Sequence, residues 1–382
     1  MRRLLHVHSQ ARFQGGIERI LFDIANSMTS DVEHGLLFSN GGSSAEFLAP
    51  FSWQGMCVSE ALTRFDPDLV IIHKTSDTAL IDQLIDSRPT IVFPHDHDML
   101  CPRRHKYLLL GNQPCTRKAG VNCIRNLCFI ERNAPEALIP VTLFDGISRQ
   151  TNLFNSSRRA SHFLVASDAM REALVINGID GQRVRVIAPI PAAIDRVKDS
   201  APVTLPHLLY VGQIIRGKGV DLMLQALAEI TVPFKATIVG DGNHLRECRI
   251  LATRLGLDDK VTFTGWVDHE QLESYYAGCR FLVVPSRWPE PFGMVGVEAM
   301  ARGRPVVAFD AGGISSWLSH GDTGLLARPG DIQDLARQLH KALTNDVEVV
   351  RMGRNARLAA TTRFTHTGFI QQLQDYIQEV MA

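Results

Sequence analysis

No apolar run among the 382 residues approaches the ~18 that a membrane-spanning helix needs, so a bilayer-crossing protein is not expected. There is no excess of charge: 40 Lys and Arg balance 40 Asp and Glu, which argues against a dedicated nucleic-acid binder with its basic footprint. Arg2 and Arg3 are followed by no sustained apolar segment, so no signal peptide is expected and the cytosol is the expected location. Seven cysteines in a chain this long do not make a disulfide scaffold. The dinucleotide pattern GxGxxG is missing, which weighs against a nicotinamide enzyme. Internal repeats and low-complexity tracts are missing too.

What is present is ordinary globular composition, 45% hydrophobic and 21% charged. The length exceeds one ordinary core, so two domains are expected. LLHVHS, GLLFS, DLVIIH, TIVFPH, HFLVAS and RVRVIA in the first half read as buried strands, as do HLLYVG, KATIVG, VTFTG, FLVVPS and PVVAFD in the second. Strands apolar throughout are typical of parallel sheets covered on both faces. Amphipathic stretches between them make repeated strand–helix units, hence an α/β fold. Pro189 to Pro206, rich in Pro and Ala, breaks the rhythm and is the expected linker. It divides an N-terminal domain, 1–195, from a C-terminal domain, 203–362. Ligands of such sheets bind outside the carboxyl ends of the strands, so a cleft lined by strand-to-helix loops is the expected site.

Several of those loops suit an anion. Gly15 and Gly16 open a helix on which Ile17, Ile20, Leu21 and Ile24 recur at helical spacing. Glycines there let a ligand approach backbone N–H groups, or simply form a tight turn. In LLYVGQIIRGKGVDLMLQAL a strand ends at Gly212, and Arg216 and Lys218 precede a helix. Two cations beside a helix start make a strong anion site. Gly240 and Gly242 end the next strand. In WPEPFGMVGVEAMARG, Glu290 falls on the loop after FLVVPS, and a helix begins near Phe292. Its first residues, Gly293, Met294 and Val295, offer free N–H groups to a phosphate. Glu298, two turns in, is an acceptor that suits a diol such as a ribose, and Glu290 suits the hydroxyls of a sugar. The parts fit a nucleoside diphosphate carrying a sugar.

The ordered set GGIE, YVGQIIRGKGVDLMLQAL, IVGDG, VTFTGWV, PSRWPEPFGMVGVEAMARGRPVVAFDAGG and TGLLARPGD resembles the retaining GT-B glycosyltransferases of family four, the glycosyl transferases group 1. The resemblance covers nearly the whole chain and is densest from Tyr210 to Asp331. It implies two Rossmann-like domains whose parallel sheets face a cleft, with a C-terminal helix, 363–382, returning to the first domain. It implies that Glu298 binds the ribose, that Glu290 lies by the donor sugar, and that Arg216 and Lys218 neutralise the diphosphate. Trp266 and Val267 would border the base. Gln213 stands where the family often has Arg, which leaves the charge to Arg216. His95, which closes TIVFPH, matches a His that lies near sugar and acceptor, with His97 as its rival; His73 is similarly placed at a strand end. The implied reaction is transfer of a hexose with retained configuration through an oxocarbenium-like transition state. The acceptor would be a glycan or lipid-linked, in bacterial cell-surface polysaccharide or lipopolysaccharide synthesis. No cofactor is required for transfer, because the cationic pair can replace a divalent ion. Two competing readings share the phosphate loops: a nucleotide-sugar epimerase or hydrolase, and a non-catalytic nucleotide-sugar-binding subunit.

Residues 99–132 form a basic, Cys-rich insertion. Arg103, Arg104, Lys106, Arg117, Lys118, Arg125 and Arg132 face a single acid, Glu131, which points to anionic lipid or a pyrophosphate-linked acceptor and to peripheral membrane association. Cys101, Cys115, Cys123 and Cys128 crowd into it. Reducing conditions disfavour disulfides there, so a structural zinc or iron–sulfur cluster is expected.

Overall fold

The computed structural model describes residues 2–29, 32–39, 42–108, 113–128, 145–197, 203 and 205–382. Positions 198–202 and 204 of the expected linker, and Glu131 and Arg132 of the basic stretch, lie outside the described residues. The chain divides into two compact units. The first is Met1–Lys106, Thr116–Ala192 and His366–Ala382; the second is Tyr107–Cys115 and Ala193–Thr365.

In the first unit the described residues form a seven-stranded sheet. Its strands are β1 (Arg2–His8), β2 (Val32–Phe38), β3 (Trp53–Gly55), β4 (Leu69–Lys74), β5 (Thr90–Val92), β6 (His162–Val165) and β7 (Val184–Val186). They lie in the order β3-β2-β1-β4-β5-β6-β7, every registered pair parallel. In the second unit β8 (His207–Val211), β9 (Lys235–Val239), β10 (Val261–Gly265), β11 (Phe281–Val284), β12 (Val306–Phe309) and β13 (Gly324–Ala327) form a six-stranded parallel sheet, β10-β9-β8-β11-β12-β13. Both sheets are Rossmann-like. Strand order reverses between β1 and β4 in the first and between β8 and β11 in the second, and such switch points are where α/β sheets bind ligands.

Uninterrupted apolar strands bury both faces: Leu4, Leu5 and Val7 of β1, and all four residues of β11 and of β12, are inaccessible or nearly so. Five helices carry or support the residues of interest: α1 (Gly16–Ser27), α2 (Val220–Ala228), α3 (His269–Gly278), α4 (Met294–Ala301) and α5 (His366–Met381). α1 buries Ile20, Leu21, Ile24 and Ala25 at helical spacing. α5 packs within the first unit. His366 bonds Ser27 Oγ at 2.8 Å and the Ile190 carbonyl at 2.7 Å, and the Tyr376 hydroxyl donates to the Phe163 carbonyl at 3.3 Å.

Two strands have no counterpart among the apolar runs of the sequence. β3 is three residues long, and β13 (GLLA) has no β-branched side chain; both lie at sheet edges, where short, weakly patterned strands suffice.

Candidate active site

At the switch point of the second sheet, the loop after β8 meets the loop after β11. Arg216–Lys218 form a 3₁₀ turn, closed by Gly219 with φ 72°. A Cβ on Gly219 would sit 1.9 Å from the Pro285 carbonyl oxygen, so only glycine permits this approach. The amides of Arg287 and Trp288 then donate to the Gly217 carbonyl, at 3.0 and 3.2 Å. This clamp sets Lys218 Nζ 2.7 and 2.9 Å from the two oxygens of Glu290 and 4.9 Å above the Trp288 ring.

Glu290 is 4% exposed. Burial pushes its carboxyl up, but the Lys218 ammonium and hydrogen bonds from Ser286 and Trp288 outweigh that and hold it below the usual carboxylate range. Its backbone is anchored too: its N–H donates to the Ala311 carbonyl at 3.1 Å, and its carbonyl accepts from Gly313 at 2.6 Å. A polar, anionic group is thus held rigidly at a strand's carboxyl end.

The two cations of this loop are not equivalent. Lys218 is committed to Glu290, with one N–H left over. Arg216 is exposed and makes no ion pair among the described residues. Arg287, adjacent to the acidic loop, was not singled out from sequence. It is 1% exposed and donates to Asp221 of α2 at 2.7 Å, which ties the acidic loop to that helix.

α4 begins at Met294 with Gly293 as its cap; the Gly296 amide donates to the Gly293 carbonyl at 2.9 Å, and the Met294 and Val295 amides precede the helix's own acceptors. Its footing is the buried Trp317, whose Nε1 donates to the Phe292 carbonyl at 2.6 Å. Half-buried Glu298 takes a hydrogen bond from the Tyr276 hydroxyl of α3 at 3.1 Å. Burial and the neighbouring Glu298 raise the Tyr276 pKa, so the phenol stays a donor and aims the carboxylate. Tyr276 carried no sequence signal beyond its place in α3.

Trp266 is 76% exposed after β10, beside half-buried Val267. The strand-end glycines spend their amides within the sheet. Gly212 N–H is spent on the Val239 carbonyl at 3.1 Å and Gly240 N–H on the Gly265 carbonyl at 2.8 Å, so these two fasten neighbouring strands. Gln213 is exposed and its carbonyl accepts from the Tyr210 hydroxyl at 2.8 Å.

In the first unit, Gly15 and Gly16 lead into α1, but the Gly15 amide bonds the unit's own Glu18 carboxylate. Glu18 in turn holds His8 at 2.9 Å. Burial raises the Glu18 pKa, and His8 with the Gly15 and Glu18 amides more than offsets it, so Glu18 ends lowered. A helix start already facing a carboxylate is a poor phosphate site.

His95 is half-buried after β5, and its Nε2 lies 3.0 Å from His73 Nδ1. His97 is buried, its carbonyl capping Leu100 and Cys101. Asp96 and Asp98 flank it, and both carboxylates close on Lys74, at 2.5 and 3.7 Å. They are spent on an ion pair.

The four cysteines of the insertion are free thiols. Cys123 and Cys128 share a hydrogen bond, which pulls Cys123 down to about 6 and pushes Cys128 up. Cys101 is buried and accepts from the Lys106 amide at 3.3 Å. Cys115 belongs to the second unit. Among the described residues no group of three or more metal-ligating side chains converges. Lys106 is 5% exposed and is thus no part of a solvent-facing basic patch. Beside the exposed Arg117, Lys118 and Arg125 stand three exposed apolar side chains, Val121, Ile124 and Leu127. No helix of the described residues is long and apolar enough to cross a membrane.

Residues 193–359 match the family model of the glycosyl transferases group 1. Among curated relatives, the alpha-D-kanosaminyltransferase of Streptomyces kanamyceticus is 28% identical over 261 residues, 63% of this chain and 67% of that one. Other curated relatives align over as little as 36% of their own length, so the chain spans about half the length of the curated relatives it matches. Among solved structures, Anabaena HepE in complex with UDP-glucose superposes with a TM-score of 0.75 at 22% identity, covering 99% of this chain and 100% of that one. The lipopolysaccharide outer core galactosyltransferase WaaB superposes with a TM-score of 0.71 at 17% identity, covering 99% of each chain. These structural likenesses show the fold, GT-B.

Proposed function

We propose that this chain, whose residues 193–359 match the group 1 glycosyl transferases, transfers a sugar from a nucleoside diphosphate to a hydroxyl acceptor with retention of anomeric configuration. The observation that carries the reading is the clamp at the β8/β11 switch point. There a buried carboxylate, a lysine, an exposed arginine and a helix N-terminus meet within one unit. That set has a counterpart for each part of the donor. Glu298, aimed by Tyr276, takes the ribose diol. The Met294 and Val295 amides of α4 and Arg216 take the diphosphate, whose negative charge grows as it departs. Glu290 accepts from the hydroxyls of the sugar, and Lys218 keeps it ionised.

In the reaction the bond from the anomeric carbon to the diphosphate oxygen breaks and a bond to the acceptor oxygen forms on the same face. The acceptor's proton passes to the departing phosphate oxygen. Glu290 is ion-paired to Lys218 and hydrogen-bonded by Ser286, which lowers its nucleophilicity and supports attack assisted by the leaving group over a covalent glycosyl intermediate on Glu290. No metal is assigned a part.

The first unit takes the acceptor. Val121, Ile124 and Leu127, exposed beside Arg117, Lys118 and Arg125, support a lipid-linked acceptor presented at an anionic membrane surface. Synthesis of a cell-surface polysaccharide is the reading we favour.

A thermal-shift screen against nucleoside diphosphates and their sugars tests the donor half. A ligand at a hundredfold excess over Kd adds ~2.7 kcal/mol. Arg216→Ala should abolish most of that shift while leaving the unliganded Tm unchanged. A protein that no nucleoside diphosphate stabilises would overturn the proposal. Turnover of the sugar nucleotide without any acceptor would favour a hydrolase instead.

A further inference from the structure

Four imidazoles of the first unit are joined in one unbranched chain of hydrogen bonds. His34 Nε2 lies 3.3 Å from the Met28 carbonyl oxygen. His34 Nδ1 lies 3.0 Å from His6 Nε2, His6 Nδ1 lies 3.0 Å from His73 Nε2, and His73 Nδ1 lies 3.0 Å from His95 Nε2. The rings come from β2, β1, β4 and the loop after β5, three adjacent strands and a neighbour. Successive rings stack with centroids 5.2, 5.3 and 5.2 Å apart.

A carbonyl oxygen only accepts, so His34 Nε2 must carry a proton. A neutral imidazole has one N–H, so His34 Nδ1 is bare and accepts from His6 Nε2–H. The same step repeats: His6 Nδ1 accepts from His73 Nε2–H, and His73 Nδ1 accepts from His95 Nε2–H. The reverse direction would set a bare His34 nitrogen against a carbonyl lone pair, a repulsion with no compensating bond. The far end is then determined. His95 Nδ1 carries no proton and bonds none of the described residues.

We infer that His34, His6 and His73 are positioning residues that lock His95 in its Nε2–H tautomer and present Nδ1 as an obligate acceptor for a substrate hydroxyl. The inference rests on the sugar-transfer reading for the identity of that hydroxyl. It excludes His95 as a ligand for phosphate or carboxylate, because an acceptor nitrogen repels an anion's lone pairs.

All four rings are neutral. Burial holds His6 and His73 well below the ordinary value, His34 near 4 and His95 near 3. The groups facing His95 are His73 and Lys74 on β4, His8 on β1, Glu18 on α1 and Asp96 beside it. The wire is a lock and not a proton exit. A proton entering at His95 and relayed along the chain would have to leave onto the Met28 carbonyl, which is too weak a base to take it.

Long-range ¹⁵N–¹H NMR of the full chain reads the tautomers directly. The expected spectrum assigns a protonated Nε2 and a bare Nδ1 to His6, His34, His73 and His95 at neutral pH. His34→Leu removes the anchor, whereas His34→Asn keeps an oxygen acceptor near the Nδ1 position. With His34→Leu, the His95 Nδ1 signal should move toward the protonated position and kcat should fall about tenfold, the worth of roughly one hydrogen bond. His34→Asn should recover most of that rate, and donor KM should not move in either variant. Loss of acceptor transfer alone assigns the hydroxyl to the acceptor; equal loss of acceptor-free donor hydrolysis assigns it to the donor sugar. An Nδ1–H or doubly protonated His95 in the native protein overturns the inference, whether or not His34→Leu folds. A native protein with the expected tautomers that turns over no sugar nucleotide would overturn the sugar-transfer reading and leave the lock standing.

Discussion

Lys218→Met isolates the electrostatics of the clamp, because methionine keeps the length and apolar stem of lysine and removes its charge. Glu290 then loses both contacts, at 2.7 and 2.9 Å, while remaining 4% exposed. Removing one partner of a buried pair costs roughly 3–5 kcal/mol. The Lys218 side chain is 24% exposed and the Ser286 hydroxyl still donates, so the lower end, about 3 kcal/mol, is expected at pH 7. For a unit of this size that lowers Tm by about 6–12 °C.

The pH dependence carries a sharper sign. In the native protein the folded pKa of Glu290 lies below its unfolded value. Its ionisation therefore stabilises above the unfolded pKa of ~4.3, and that stability is lost as pH falls through the folded pKa. In Lys218→Met, burial acts with no cation to oppose it and the folded pKa rises above ~4.3, so stability is lost as pH rises. The gap in Tm between the two proteins should widen steadily from pH 4 to pH 7 in differential scanning fluorimetry. Lys218→Met/Glu290→Gln removes the orphaned charge and should recover most of the lost Tm, though not the activity. A gap independent of pH, or a double variant no more stable than the single one, would refute the buried-pair argument.

Glu298→Gln should raise the Kd of the bound nucleoside diphosphate about tenfold, roughly 1.4 kcal/mol, and Tyr276→Phe should raise it less; calorimetric titration reads both, and equal Kd values across the three proteins would remove Glu298 from the nucleotide site. Gly296→Ala should cost about 3 kcal/mol, because its Cβ would fall 2.0 Å from the Trp317 ring and that ring is pinned by its bond to Phe292; an unchanged Tm contradicts the packing. Cys123, held near 6 by Cys128, should be alkylated by iodoacetamide faster than the buried Cys101. Its rate should rise as pH passes about 6 and plateau well before the range of an ordinary thiol; Cys128→Ala should move the midpoint up, and peptide mass spectrometry follows both.

Much of the fold was legible because its information is local. An apolar run such as FLVVPS has few alternatives to a buried parallel strand, and the alternation of such runs with amphipathic stretches specifies the α/β layers. The acidic loop was legible for the same reason: Glu290 and Glu298 follow a buried strand within one contiguous segment. Which cation meets which acid was not. Lys218 and Glu290 are far apart in sequence, and only the approach of Gly219 to Pro285 shows that Lys218 is occupied and Arg216 is the exposed one. Sequence likewise left Gly15 looking open, because the folding back of Glu18 onto its own helix start depends on His8 one strand away.

The histidines show the limit most plainly. His6, His34 and His73 sit inside or at the ends of apolar strands, and each on its own reads as a tolerated polar residue in a sheet. Parallel pairing puts His34 opposite Leu4 and His6 opposite Ile71, so His6 and His34 lie on one face, two positions apart in register. The register of β1 with β4 shifts by one residue after Val7, with Ile72 opposite Val7 and Lys74 opposite His8. The residue left over is His73. Ile71 shares a face with His6, so the pleat sets His73, two residues on, on that same face with or without the shift. The chain of imidazoles, and with it the protonation of His95, therefore depends on the order and register of three adjacent strands, which no local pattern announces. A one-residue slip of β1 against its neighbours would turn His6 to the opposite face and uncouple His95 from its anchor.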